Sequence, residues 1–174
     1  MPTREELSGD FTDFANARLP DLVRIARALT GNPHAADDLV QTALEKAYRA
    51  WHRVHRTAPD AQFAYVRRIL VNSSYDSWRR KVRLQNLIGR RVEPEDRAAQ
   101  GPGPEDQAVS ARTVDALLAP LTPRERQVLV LRCLADLSEA DTARELGLAV
   151  GTIKSTTARA LNKLRATVPT PIGV

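Results

Sequence analysis

Thr152, Lys154, Ser155, Thr156, Arg159 and Lys163 fall close together near the end of the chain. Short hydroxyls reach base edges, and Arg and Lys neutralise phosphates, so this set is suited to reading duplex DNA. The residues before them supply a scaffold. Leu137-Ser138-Glu139-Ala140-Asp141-Thr142-Ala143-Arg144-Glu145-Leu146-Gly147 reads as a short helix. Ser138 is its N-cap, Glu139 and Asp141 are favourable first-turn charges, and Gly147 ends it in the left-handed region. Ala143 and Leu146 point inward. A second helix follows, with Val150, Ile153, Thr157, Ala160 or Leu161, and Leu164 as its inward stripe. Two helices about a glycine turn form a helix-turn-helix, which lays its second helix in the major groove. An ordinary amphipathic helix shares the periodicity, but not the coincidence of glycine turn, hydroxyl run and basic residues.

Two further polar sets lie in the first half. Asp37, Asp38, Gln41, Glu45 and Lys46 share one side of a helix. Its apolar side is Ala36, Leu39, Val40, Ala43, Leu44, Ala47, Tyr48 and Trp51, in unbroken helical period. An acidic and polar patch beside such a stripe suits docking onto a basic protein helix. Taken alone, Asp37 and Asp38 equally serve the early turns of their own helix. Arg68, Asn72, Asp76 and Arg79 follow at i, i+4, i+8 and i+11, an outer stripe that is mostly basic. Arg80, Lys81, Arg83, Arg90 and Arg91 extend the charge. Asp76 and Arg80 also have the spacing of an ordinary helix-stabilising pair.

The elements that position these sets are all helical. A first helix is expected over 10–30, with Leu19, Leu22, Val23, Ala26 and Leu29 inward, a bend or restart at Pro20, and Gly31 as its end. Asn32-Pro33 restarts the chain as cap and first helical residue. A loop spans 54–60, and a third helix runs over 61–83 with Phe63, Val66, Ile69, Leu70 and Ser73 inward. Composition changes at Glu93. Glu93-Pro94-Glu95-Asp96 and Gly101-Pro102-Gly103-Pro104-Glu105-Asp106 form an acidic, proline- and glycine-rich linker. A helix over 109–118 opens the second half. Thr122-Pro123-Arg124-Glu125 then forms a capping box, and residues 127–134 continue that helix. The fold expected is all-α: two small helical domains, 8–92 and 109–168, joined by a flexible linker, 93–108.

The totals agree. The chain has 174 residues, a net charge of +5, only 5% aromatic residues and one cysteine. The positive charge favours an acidic polymer as partner. Cys133 excludes an intramolecular disulfide, fits a reducing cytoplasm, and is expected to pack among Val130, Leu131 and Leu134. No segment approaches membrane-spanning length, so no membrane insertion is expected. There is no glycine-rich phosphate loop, no paired zinc-ligand motif and no evident nucleophile–base arrangement. His52 and His55, three apart, have no third ligand nearby. Neither a metal, nor a cofactor, nor an enzyme active site is expected.

Taken together, these blocks resemble a known family. Asp37-Asp38-Leu39-Val40-Gln41, Tyr65-Val66-Arg67-Arg68-Ile69-Leu70-Val71-Asn72, Asp76 and Arg79-Arg80 are similar to region two of the extracytoplasmic-function sigma factors of the sigma-70 family. Leu121-Thr122-Pro123-Arg124-Glu125-Arg126 and Gly151-Thr152-Ile153-Lys154-Ser155 through Arg159-Ala160-Leu161 are similar to region four. The resemblance covers about residues 10–168, and Trp78-Arg79-Arg80 resembles the actinobacterial branch.

The resemblance implies a protein that binds core RNA polymerase, recognises the −10 and −35 promoter elements and promotes melting. It places Asp37, Asp38, Leu39, Gln41 and Glu45 on the coiled coil of the largest polymerase subunit, with the polymerase flap as a further contact. It assigns Arg67, Arg68, Asn72, Asp76, Arg79 and Arg80, with the 54–60 loop, to the −10 element and a flipped base. It assigns Thr152, Lys154, Ser155, Thr156 and Arg159 to the −35 element, and it allows an anti-sigma factor as partner. Ala149 stands where many relatives carry a serine cap, and Thr156 where many carry a basic residue. The alternative is a two-domain helix-turn-helix repressor or activator acting without core polymerase. The linker leaves open whether the domains pack together, which would occlude the Arg79 stripe and the recognition helix.

Overall fold

The computed structural model describes residues 3–89 and 116–167. Among these residues are the α-helices α1 Arg4–Thr30, α2 Pro33–Val54, α3 Pro59–Leu87, α4 Pro123–Leu129, α5 Glu139–Leu146 and α6 Val150–Thr167, and residues 116–118 are helical as well. Among the described residues there is no strand. The linker expected at 93–108 and most of the helix expected at 109–118 lie outside them.

Local chemistry sets the helix ends. Thr3 and Glu6 form a capping box at the start of α1, six residues before the expected start. The helix runs through Pro20 without the expected restart, and Leu19 is exposed rather than inward. Its inward face is Phe14, Leu22, Ile25, Ala26 and Leu29. Gly31 ends it in the left-handed region at φ 63°. Asn32 then caps α2, its side chain accepting the Ala35 N–H at 3.0 Å, with Pro33 in the first turn as expected.

α1, α2 and α3 form a three-helix layer around Trp51. This side chain is 1% exposed and donates through Nε1 to Asp10 Oδ2 at 2.9 Å. Phe11 and Phe14 pack their rings on it at 5.0 and 4.8 Å. Such aromatic contacts add about 0.5–1.5 kcal/mol each beyond area burial. Val130 and Leu131, from the second half of the chain, belong to this same core.

The second half is smaller. Thr122 Oγ1 accepts the Glu125 N–H at 3.2 Å, and Glu125 Oε2 accepts the Thr122 N–H at 2.9 Å, so the expected capping box is present. α4 does not continue as α-helix to 134. It widens at Val130–Leu134 into a π-helical turn closed by the Ala135 N–H on the Val130 carbonyl. Val130 and Leu131 face the core, whereas Cys133 is exposed, against expectation. Residues two apart on a helix point to different sides, so proximity to apolar neighbours in sequence does not bury the thiol. α6 packs through Ala160 on Leu121 and Leu129, and through Ile153 on Val128 and Ala143.

The two halves share one body. On α3, Arg67, Val71 and Tyr75 stand at i, i+4 and i+8, and all three meet the second half. Arg67 pairs with Glu145 of α5, the Gln127 amide donates to the Val71 carbonyl at 2.7 Å, and Arg124 lies 4.1 Å above the Tyr75 ring.

Candidate nucleic-acid interface

The helix-turn-helix forms as the sequence implies. Ser138 Oγ accepts the Asp141 N–H at 3.0 Å and donates to Asp141 Oδ2 at 2.6 Å. That hydroxyl bond, reinforced by the Arg144 guanidinium, holds the Asp141 carboxyl below the ordinary carboxylate range. Gly147 ends α5 at φ 65°. α6 then starts at Val150, with no side-chain cap from Ala149.

Thr152, Lys154, Ser155 and Arg159 are exposed on one side of α6. Lys154 reaches Glu139 at 3.8 Å, a loose pair that leaves the ammonium largely solvated. Thr156 departs from expectation: it is 2% exposed and accepts from Arg159 at 3.3 Å through its hydroxyl. Both 153–157–160 and 153–156–160 satisfy the helical period. Packing selects the second, because Ile153 and Ala160 each seat in a small core and 156 lies between them. Thr157 is half-buried, and its hydroxyl turns back to the Ile153 carbonyl. Val150 and Leu161, both inward candidates, are exposed at 41% and 37%. Lys163 is half-buried against Glu125 at 2.9 Å and joins α6 to α4 instead of projecting to a phosphate.

On α3, Arg68, Asn72, Asp76, Arg79 and Arg80 form the expected exposed stripe, and residues 56–58 of the preceding loop and 59–60 at the start of α3 are exposed too. Arg67 does not join them. It is 8% exposed, and its guanidinium forks onto Glu145, Nε to Oε1 at 3.1 Å and Nη2 to Oε2 at 2.9 Å. Its Cζ also lies 5.8 Å from the centre of the Phe63 ring. Domain packing leaves Arg79, Arg80 and the polar side of α6 open, so closure hides Arg67 and not the surfaces expected to be occluded.

On α2, Asp37, Asp38, Gln41 and Glu45 are exposed, and the Gln41 amide donates to Glu45 at 3.1 Å. Leu39, placed with them by resemblance, is 7% exposed and belongs to the core. It is still part of the wall of a cleft of about 330 Å³ between α2 and α3, with Asp38, Ser74, Trp78 and Arg80. Among the described residues no group of three or more His, Cys, Asp or Glu side chains is placed to hold a metal ion, and no helix is long and apolar enough to cross a membrane.

Sequence reasoning missed the polar side chains that join the halves: Glu145, Gln127, Arg124 and Arg126. Partners 78 residues apart, as Arg67 and Glu145 are, leave no periodic trace. The one signal was a run of polar residues, 124–127, inside a segment that had to be helical and packed.

Comparison with known proteins agrees with this geometry. Residues 14–84 match the family model for sigma-70 region 2, and residues 111–164 match that for sigma-70 region 4. The RNA polymerase sigma-E factor of Streptomyces coelicolor is 34% identical over 160 residues, covering 90% of this chain and 84% of that protein. The ECF RNA polymerase sigma factor SigL of Mycobacterium tuberculosis is 29% identical over 150 residues, covering 84% and 82%. Among solved structures, the sigma factor RpoE of Bartonella quintana, crystallised with the anti-sigma factor NepR, superposes with a TM-score of 0.66 at 29% identity over 90% of this chain and 95% of that one.

The chain belongs to the sigma-70 family, among its extracytoplasmic-function members. It is an RNA polymerase sigma factor, a class that binds core polymerase and promoter DNA and is generally not enzymatic, with actinobacterial relatives. The reading as a polymerase-independent repressor or activator gives way to this one.

Proposed function

We propose that the three exposed surfaces divide the labour of promoter recognition. Asp37, Asp38, Gln41 and Glu45 of α2 dock on the coiled coil of the largest polymerase subunit, with Leu39 holding that face rigid from beneath. Arg68, Asn72, Asp76, Arg79 and Arg80 engage the −10 element, with the loop before α3 receiving a flipped base. Extracting that base costs a few kcal/mol of stacking, which the pocket offsets. Thr152, Lys154, Ser155 and Arg159 read the −35 element, Thr156 packs beneath them, and the second domain meets the polymerase flap. The domains extend over 8–92 and 109–168, and the chain acts by binding in the cytoplasm, not by catalysis. An anti-sigma factor belongs among its partners, as RpoE of Bartonella quintana has one.

The observation that carries this reading is the separation of an exposed acidic face on α2 from exposed basic stripes on α3 and α6 within one chain. The test is gel filtration with core polymerase. The parent is expected to co-elute, and an Asp38→Arg, Gln41→Ala double variant to lose that binding. Both positions are exposed, so the fold survives the change. Co-elution of the variant would move the docking face elsewhere.

A further inference from the structure

We infer that the cleft between α2 and α3 is a binding site for a free nucleoside phosphate, and that its occupation opposes polymerase docking on α2. The second clause rests on the sigma-factor reading. Three positions on α3 give the cleft its depth. Ser73, Ser77 and Lys81 all line it and stand at i, i+4 and i+8, about 12 Å along the helix. Ser73 is 4% exposed, Ser77 is half-buried and Lys81 is exposed, so the stripe descends from a solvated cation to a covered hydroxyl. The half-buried Trp78 is a further part of the wall, and Leu39 and Val82 supply apolar lining.

The lining groups have unused hydrogen-bonding capacity. Ser73 Oγ accepts from Lys46 Nζ at 2.9 Å, and its own proton has no acceptor among the described residues. The Thr42 and Ser77 hydroxyls have no hydrogen-bond partner there, and the side chains of Asp38, Arg80 and Lys81 have neither a hydrogen bond nor an ion pair. Two adjacent cations favour an anion, and a phosphate accepts from both. The Trp78 ring offers a face on which a base stacks. Asp38 only accepts hydrogen bonds. It therefore repels a plain aromatic acid and selects a ligand that also carries donors, as ribose hydroxyls and base amino groups do.

Volume decides against a protein segment as the occupant. The cleft holds about 330 Å³, within the range of about 300–1,000 Å³ of small-molecule sites. Two turns of a helix about 10 Å wide fill roughly 850 Å³. Position gives the site its effect. Asp38 is both on the cleft wall and on the face proposed to dock on polymerase, so a ligand held by that carboxylate competes with the docking helix for it. The coupling is reciprocal: whatever factor the ligand takes from polymerase affinity, polymerase takes from ligand affinity.

Tryptophan fluorescence of the full-length protein tests the site. The chain has two tryptophans, and Trp51 is 1% exposed in the core, so quenching by a stacked base reports on Trp78. The probes are the ribonucleoside 5′-monophosphates of adenine, guanine, cytosine and uracil. At least one is expected to quench the parent saturably. The matching nucleoside, which lacks the phosphate, is expected to bind roughly tenfold more weakly, and so is the nucleotide to Lys81→Glu. Ser77→Leu fills the cleft with a good helix former. It is expected to abolish quenching at unchanged helicity by circular dichroism. No saturable quenching of the parent, or the same response in Ser77→Leu, would overturn the site. Single-stranded DNA that quenches Trp78 and displaces the nucleotide would make the cleft part of the DNA path and overturn it equally. Core polymerase binding is then measured with and without the nucleotide. A several-fold loss of affinity is expected for the parent and none for Ser77→Leu, since Ser77 lies in none of the proposed docking or DNA surfaces. Unchanged affinity of the parent would overturn the competition. Failure of both forms to bind polymerase would sink the sigma-factor reading itself, while quenching still reports on the cleft.

Discussion

Arg126 of α4 lies against Gly31, the residue that ends α1: a Cβ added at Gly31 would stand 2.9 Å from the Arg126 Nη1. The contact joins the two sequence regions at a site where each has a local reason to be as it is. Gly31 takes φ 63° to close α1, and Arg126, 1% exposed, donates through Nε to the Leu118 carbonyl at 3.1 Å. A guanidinium beside the C-terminal end of α1 also faces the negative end of that helix.

Gly31→Ala is therefore expected to destabilise twice over. The left-handed conformation costs a β-carbon roughly 1–2 kcal/mol, and Arg126 must shift. Thermal unfolding should begin about 2–8 °C lower. In an Arg126→Ala background part of that penalty should vanish, giving a coupling of at least about 0.5 kcal/mol in a double-mutant cycle. Strict additivity would show that the guanidinium yields freely.

Asp141 offers a pH-dependent test. Its carboxyl is held low by the Ser138 hydroxyl first and by Arg144 second. A depressed carboxylate contributes stability that is present above its unfolded pKa and is lost as pH falls through the folded value. Ser138→Ala should raise the Asp141 pKa towards the ordinary 3.8. Carbon-detected NMR titration of the side chain reads this directly. The helix should also lose about 1 kcal/mol from the missing cap, and an unmoved titration would assign the shift to Arg144 alone.

Thr142 is fully buried, and its hydroxyl has no hydrogen-bond partner among the described residues. Thr142→Val keeps the branched shape and removes the orphaned group. Stability is expected to rise by up to about 1 kcal/mol, seen as a higher denaturant midpoint at unchanged slope. A loss of stability would mean that the hydroxyl is satisfied by water.

Lys154 and Lys163, both basic residues of α6, are predicted to behave differently. Lys154→Ala should weaken binding of the polymerase-bound factor to −35 duplex and lower its salt slope by about 0.9 for the phosphate released, with little effect on folding. Lys163→Ala strips the ammonium from Glu125, whose side chain is only 6% exposed. It should cost about 1–2 kcal/mol of stability while leaving the salt slope alone. Equal effects on the salt slope would contradict the packing assigned to Lys163.

What could be read in advance was what local chemistry controls. The Asn32-Pro33 restart, the Thr122–Glu125 capping box, the Ser138 cap and the Gly147 turn are each decided within a few residues, and each is present. Helical period identified the exposed stripe of Arg68, Asn72, Asp76 and Arg79. It did not choose between Thr156 and Thr157, since either satisfies the repeat and only the cores around Ile153 and Ala160 decide. Pro20 suggests a bend or restart because proline removes one hydrogen bond; the long helix α1 runs through it without a restart. The family resemblance, not the helical spacing, groups Arg67 with Arg68. On a helix they point about 100° apart, and here one meets solvent while the other meets Glu145.

The placement of Val130 and Leu131 in the core of the first domain has a consequence for synthesis. A ribosome completes α3 about 43 residues before it adds Val130, an interval of roughly 2–9 s at ordinary elongation rates. For that time the three-helix layer exists without its last wall, and Arg67 has no Glu145 to meet. The newborn factor is thus open before it is closed. A partner that meets the chain in that interval meets Arg67 without its carboxylate, and only later synthesis supplies Glu145.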